Sequence, residues 1–277
     1  MTNQKSKITN QKSHPIGIFD SGIGGLTVAS AIHKLLPKES LVYFGDTAHF
    51  PYGEKSADSL KYYAIRITQF LLRHQCKMIV IACNTASSVA YDTVKDFVPK
   101  NIGVINVIDP VVLEIVQNKA LHKVGIIATK GTIKSDVYAK KIKALNKKVE
   151  VESLATPLLA PMIEEGFFNN KISRTVIGSY LSKPKLKKID SLVLACTHYP
   201  LIRKEIEEYY HNKIHIFDSA DIVAKHVKDV LQRKNLLTAA RKPKLHFYVS
   251  DFTKSSEAST RLFFGNKIHL EESNIWK

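Results

Sequence analysis

The sequence predicts an α/β protein of two pseudo-symmetric lobes, each a mostly parallel sheet flanked by helices, with the active site in the cleft between them. Met78-Ile79-Val80-Ile81-Ala82-Cys83 and Ser191-Leu192-Val193-Leu194-Ala195-Cys196 are unbroken apolar runs that end in a thiol and a polar cluster. Such runs read as strands buried on both faces, as in a parallel sheet. Each Cys then sits at a strand's carboxyl end, the edge where open α/β sheets bind ligands. The pairs Gly17 and Gly125, Leu41 and Val149, and Cys83 and Cys196 recur at a spacing of about 110 residues, which implies a duplicated lobe.

Residues 1–14 carry Lys5, Lys7 and Lys12 and no apolar block, so they read as a disordered basic tail, neither signal peptide nor anchor. The first lobe is expected over 15–109 and the second over 110–217, with 218–277 returning to complete the first. Ile16 to Phe19 is the first strand, and the turn Asp20 to Thr27 leads into a helix ending near Leu36. Its glycines, Gly22, Gly24 and Gly25, do not match the dinucleotide-binding spacing. A strand over Leu41 to Phe44 enters a long loop, 45–56, whose Pro51-Tyr52-Gly53 turn leaves backbone free to meet a ligand or packs a half-buried Tyr on the surface. Ser56 to about His74 is an amphipathic helix with Leu60, Ala64, Ile67 and Leu71 on one face. Cys76 reads as structural.

After Cys83, the capping residues Asn84, Thr85 and Ser87 start a helix, whose free N–H groups favour an anion and lower the pKa of a nearby thiol. Gly103 to Ile108 is a strand leading to the second lobe, which opens with Val124 to Ala128. Thr129 to Thr132, at that strand's end, is placed for ligand contact. Further strands are expected at Val149 to Glu152, Lys213 to Phe217 and Leu245 to Val249, and helices at Leu201 to Tyr210, Ser219 to Leu231 and 254–264. Glu164 is either a buried cleft carboxylate or an exposed one, and its residue type favours exposure.

Across 277 residues the net charge is +16 and the sequence pI about 9.6. The lysines at Lys140-Lys141-Lys143, Lys147-Lys148 and Lys183-Lys185-Lys187-Lys188 lack interleaved aromatics, so they read as solvated faces and not as a nucleic-acid footprint. A basic field suits a small anionic substrate. No stretch has eighteen consecutive apolar residues, which argues against a membrane span, and three Cys without a secretory signal point to a reduced cytoplasm.

Two thiols at matching strand ends are what a reaction needs when it takes a proton from one face of a carbon and returns one to the other. Asp20, at a third strand end, pairs with an ammonium, holds a catalytic group or caps the turn. Rival readings are a hydrolase using Cys196 or Cys83 with His198, a zinc site, and a non-catalytic basic binding module. Each leaves a feature unused: the second Cys, a partnering Cys or His pair for zinc, or the thiols altogether.

The motifs Ile18-Phe19-Asp20-Ser21-Gly22-Ile23-Gly24-Gly25, Gly45-Asp46-Thr47-Ala48 with Pro51-Tyr52-Gly53, Ala82-Cys83-Asn84-Thr85-Ala86, and Ala195-Cys196-Thr197-His198-Tyr199-Pro200 closely resemble those of the glutamate racemases of the aspartate/glutamate racemase superfamily. The resemblance covers nearly all of the chain beyond the tail. It implies a cofactor-independent isomerase that interconverts L- and D-glutamate and supplies D-glutamate for peptidoglycan, with aspartate as the alternative substrate. It also implies that Cys83 and Cys196 are the catalytic thiols and that Asp20, Glu164 and His198 assist them. Asp20, Ser21, Tyr52, Gly53, Asn84, Thr85, Thr197 and His198 match the family's substrate-contacting positions. A homodimer is left open. Thr156 departs from the pattern, standing where relatives commonly have Cys.

Overall fold

The computed structural model describes residues 11–239, 242–252, 264 and 269–277. In chain order the first lobe holds β1 (Ile16–Asp20), α1 (Leu26–Leu35), β2 (Leu41–Gly45), α2 (Ala57–Arg73), β3 (Met78–Ile81), α3 (Asn84–Phe97) and β4 (Gly103–Asn106), and α4 (Ile108–Gln117) follows across the expected boundary at 109/110. The second holds β5 (Lys123–Ala128), α5 (Lys130–Ser135), α6 (Val137–Leu145), β6 (Glu150–Ala155), α7 (Leu159–Glu164), α8 (Lys171–Leu181), β7 (Ser191–Ala195), α9 (Arg203–Tyr209) and β8 (His215–Asp218). The chain then runs through α10 (Ser219–Arg233), β9 (Leu245–Val249) and β10 (Leu270–Glu272).

Two sheets result, ordered β10-β9-β2-β1-β3-β4 and β6-β5-β7-β8. Every strand pair is parallel among the described residues. In each sheet the lobe's first strand lies between its second and third, so the α/β architecture of two matching lobes that the sequence predicts is the architecture found. All residues of β1, β2, β3 and β7 are buried, which is why these strands read as continuous apolar runs without alternation.

One apolar cluster runs through both lobes. It joins Ile16, Ile18 and Val80 to Val124, Ile126 and Val193 through Leu26, Ile32, Val111, Ile115, Val223, Val227 and Leu231 of α1, α4 and α10. Of the helix pairs, α10 and α1 make the most extensive contact. The wall behind the cleft is therefore continuous core, and the carboxyl ends of β1, β3 and β7 open to the same side.

Local chemistry sets several boundaries. The Ser56 hydroxyl accepts the Ser59 N–H at 3.1 Å and caps α2. The strand expected through Ile108 ends at Asn106, because the Asn106 Oδ1 accepts the N–H groups of Ile108 (2.9 Å) and Asp109 (2.8 Å) and turns the chain into α4. Val107 and Ile108 thus belong to the helix turn and not to a strand. After β7 the chain makes a 3₁₀ turn, Tyr199–Ile202, with Pro200 near its start, so α9 begins at Arg203 and not at Leu201. Lys12, in the expected tail, has its carbonyl held by the buried Lys77 ammonium at 2.7 Å. Residues 1–10 of that tail, and the helix expected over 254–264 except Phe264, lie outside the described residues. No helix among the described residues is long and apolar enough to cross a membrane.

Candidate active site

Both thiols line one small cavity at the carboxyl edge of the two sheets. Cys83 follows β3 and caps α3, its sulfur accepting the Ala86 N–H at 3.5 Å. Cys196 follows β7. Ser21, Tyr52, Gly53, Asn84, Thr85, Thr197 and His198 line the same space. Asp20 and Glu164 stand behind that wall.

The surroundings of the two sulfurs differ. Nδ1 of His198 is 3.8 Å from the Cys196 sulfur, and Nε2 donates to the Glu164 carboxylate. Burial alone would drive this imidazolium toward neutrality. The Glu164 charge and the Cys196 sulfur outweigh burial and hold the ring well above the ordinary histidine value. Glu164, placed by the last turn of the short helix α7, is mostly buried, so the exposure favoured by its residue type is not what the fold gives.

Cys83 donates to the Ser21 hydroxyl at 3.6 Å. Burial pushes its thiol up to about 12; Asp20 adds to the rise, and the Ala86 N–H only partly offsets it. The expectation that a helix start lowers this thiol's pKa is overturned, because one long N–H contact is weaker than complete desolvation beside a carboxylate.

Asp20 is fully buried and accepts the N–H groups of Gly22 (3.2 Å) and Gly25 (3.0 Å) and the Thr197 hydroxyl (3.2 Å). Burial raises its pKa, opposed first by the His198 charge and then by these donors. Its geometry is that of a brace between the β1 turn of one lobe and the Cys196 loop of the other. The bracing is reciprocal: Tyr138 from the second lobe donates to Asn84 Oδ1 at 2.7 Å, and Thr85 meets Thr129 at 2.8 Å.

Tyr52 is fully buried, not half-buried, with its hydroxyl donating to Asp46 at 2.7 Å. Gly53 abuts the second lobe so closely that an added Cβ would come within 2.7 Å of Thr129 Cβ. Thr129 and Pro51, both expected near a ligand, line the cavity, as do Phe50 and Ala160, which no sequence signal marks. Nor did it mark Tyr138, whose bond to Asn84 joins residues far apart in the chain. Thr156 lies outside the cavity wall, hydrogen-bonded to Tyr199 Oη at 2.7 Å. Among the described residues, no group of three or more His, Cys, Asp or Glu side chains is arranged to hold a metal ion.

The model of the Asp/Glu/Hydantoin racemase family matches residues 22–227. The chain is 40% identical over 256 residues to the glutamate racemase of Syntrophus aciditrophicus (strain SB), covering 92% of this chain and 94% of that one. It is 44% identical over 260 residues to that of Chlorobaculum parvum, covering 92% and 93%. The crystal structure of glutamate racemase from Francisella tularensis subsp. tularensis SCHU S4 in complex with D-glutamate superposes with a TM-score of 0.89 at 36% identity, covering 96% of this chain and 99% of that one. Together with the two-lobed fold and the shared cavity, these similarities establish that the chain belongs to the glutamate racemases of the Asp/Glu/Hydantoin racemase family.

Proposed function

We propose that the protein racemises glutamate by two proton transfers, with Cys196 serving the L face of Cα and Cys83 the D face. The observation that carries this is the unequal pair of thiols in one cavity. The His198 imidazolium, sustained by Glu164, stands 3.8 Å from the Cys196 sulfur and suits it to act first as base, while Cys83 is buried beside a carboxylate and keeps its proton. In that form Cys196 takes the Cα proton of L-glutamate and the Cys83 thiol protonates the opposite face. The product leaves with the proton count of the two sulfurs unchanged and the thiolate now at Cys83. From D-glutamate the same steps run in reverse.

Substrate binding draws on donors already facing the cavity. The Asn84 side-chain N–H₂ is buried without a hydrogen-bond partner, and its Oδ1 is occupied by Tyr138. A buried amide in that state is favourably completed by a carboxylate, and the first turn of α3 adds backbone N–H groups suited to an anion. Ser21, Thr85, Gly53 and Thr197 supply further polar contacts. Because the thiols provide both proton-transfer groups, the reaction so described calls on no cofactor. D-glutamate made in the cytoplasm would enter peptidoglycan and so sustain the cell wall and cell shape.

Chelator-treated protein incubated with L-glutamate in deuterated water tests the proposal. Chiral chromatography should find D-glutamate, and early product should carry deuterium at Cα while recovered substrate largely does not. Product that retains the original hydrogen would point to one base serving both faces and sink the two-thiol scheme.

The Cys196, His198 and Glu164 chain also has the order of a nucleophile, base and orienting carboxylate, which favours a second reading as a cysteine hydrolase. That reading leaves Cys83 without a role. Release of ammonia from glutamine, with no racemisation of glutamate, would select it.

A further inference from the structure

Asp46 is a fully buried carboxylate in the loop between β2 and α2, and it collects three side-chain donors. The Tyr52 hydroxyl donates to its Oδ2 at 2.7 Å, and the Ser250 hydroxyl to its Oδ1 at 2.8 Å. The His49 Nδ1 lies 3.0 and 2.9 Å from the two oxygens. A carboxylate can only accept, so His49 carries its proton on Nδ1. Tyr52 is a cavity residue whose phenol is kept protonated, first by burial and then by the Asp46 charge. Its one proton is committed to Asp46, so Asp46 fixes where the ring stands against the substrate.

The outer side of this hub is held by the distal part of the chain. The Ala48 N–H donates to Ser250 at 2.9 Å, and Thr47 exchanges hydrogen bonds with the Asp251 backbone at 2.5 and 2.9 Å. The His49 ring stacks on Tyr63 at 4.1 Å and 21°, and the Trp276 ring meets it edge-on at 4.6 Å and 89°. Trp276 also contacts Tyr63 at 5.3 Å, and Arg66 donates to the Ile275 carbonyl. The edge-on and stacked geometries constrain the imidazole in both rotation and translation.

We propose that Trp276 is a positioning residue for the substrate loop, acting through His49 and Asp46 on Tyr52 and, by continuity of the turn, on Gly53. The inference rests on the reading that the cavity takes glutamate. None of the three contacts that lead from Trp276 through His49 and Asp46 to Tyr52 involves a reacting atom. The effect therefore falls on binding: loosening the loop weakens the enclosure of substrate while leaving the thiols and His198 in place.

Kinetics and fluorescence test this on the full-length protein. Trp276→Ala should raise KM about tenfold for both enantiomers with kcat changed less than about twofold, and Trp276→Phe, which keeps an aromatic edge, should restore the parent KM. Trp276→Ala with His49→Ala should cost no more than the costlier single change, because the two residues act in series. The chain has one tryptophan, so its emission reports this site alone. Saturation of parent protein with D-glutamate should shift that emission, with a midpoint near KM, and Asp46→Asn should abolish the shift. An active parent whose KM is indifferent to Trp276→Ala, or whose two single effects multiply, overturns the inference. So does an active parent whose emission ignores substrate, which decides the matter should Trp276→Ala not fold. A parent that fails to racemise glutamate at all would instead defeat the functional reading beneath it.

Discussion

The Cys196 sulfur has the His198 imidazole 3.8 Å away, whereas Cys83 has only a hydroxyl and a backbone N–H as hydrogen-bond partners among the described residues. This inequality in a shared cavity gives the two sulfurs different surroundings, a cationic imidazole beside one and a buried hydroxyl beside the other, which is the asymmetry the proposed transfer of a proton from one face to the other draws on.

Replacing either Cys83 or Cys196 with Ser changes one atom and substitutes a much weaker acid. Each change should lower racemisation in both directions by about a thousandfold or more, since in the proposed scheme each direction uses one sulfur as base and the other as acid. The far-ultraviolet circular dichroism of both variants should match the parent. A well-folded variant running at near the parent rate would contradict the scheme.

The His198 titration should depend on Glu164. Burial lowers the imidazole pKa, and the Glu164 carboxylate and the Cys196 sulfur together raise it by more than that loss, so Glu164→Gln removes the first of the groups that oppose burial. The folded-state value should fall, and the imidazolium should be lost at a lower pH than in the parent. Nitrogen-15 spectra of the imidazole across pH would follow it directly. Activity should fall by about ten- to a hundredfold, with the loss growing as pH rises and the cation beside Cys196 disappears.

Much of this arrangement is legible in the sequence because burial on both faces writes itself as an uninterrupted apolar run. Met78 to Ala82 and Ser191 to Ala195 locate β3 and β7, and the abrupt thiol marks where each emerges. The β4 boundary is not legible in the same way. Val107 and Ile108 suit a strand or a buried helix equally, and the deciding Asn106 turn is a hydrogen-bond choice made in three dimensions. Glu164 has no sequence mark of burial, since its partner His198 lies in a different element. Tyr138 matters because the second lobe folds over α3, a long-range fact that residue type does not encode, whereas Thr129 is marked by its place at the end of β5. The rise in the Cys83 thiol to about 12 escapes notice for a related reason: the cap is visible in sequence, while the desolvation and the nearby Asp20 are not.

Asn84→Ala should remove the unpartnered amide N–H₂ from the cavity and leave the Tyr138 hydroxyl without its acceptor. KM for both enantiomers should rise about tenfold, the scale of one lost hydrogen bond to a charged group. Tyr138→Phe keeps the Asn84 amide but frees its orientation, so its effect should be smaller and in the same direction. Isothermal titration with D-glutamate at a pH of low activity separates binding from turnover. Equal affinity in parent and Asn84→Ala would remove Asn84 from the binding set.

Gly24 offers the strictest test that the β1 turn holds the second lobe's catalytic loop in place. A Cβ built there would lie 2.5 Å from His198 Nδ1 and 2.7 Å from the Thr197 hydroxyl, well inside van der Waals contact. The Thr27 hydroxyl, three residues on, shares its proton between the Gly24 carbonyl at 2.8 Å and the Thr197 carbonyl at 3.2 Å, so the two segments are packed together with little room to part. Gly24→Ala should push the imidazole away from Cys196 and strain the Thr197 bond to Asp20, lowering kcat by about a hundredfold, the scale of an ångström-sized misplacement. Because the intrusion is aimed at the His198 ring, the loss should appear mainly in kcat and in an altered His198 titration. An unselective fall in folded fraction with a normal His198 resonance would mean that the glycine serves the fold and not the geometry of the thiol and imidazole.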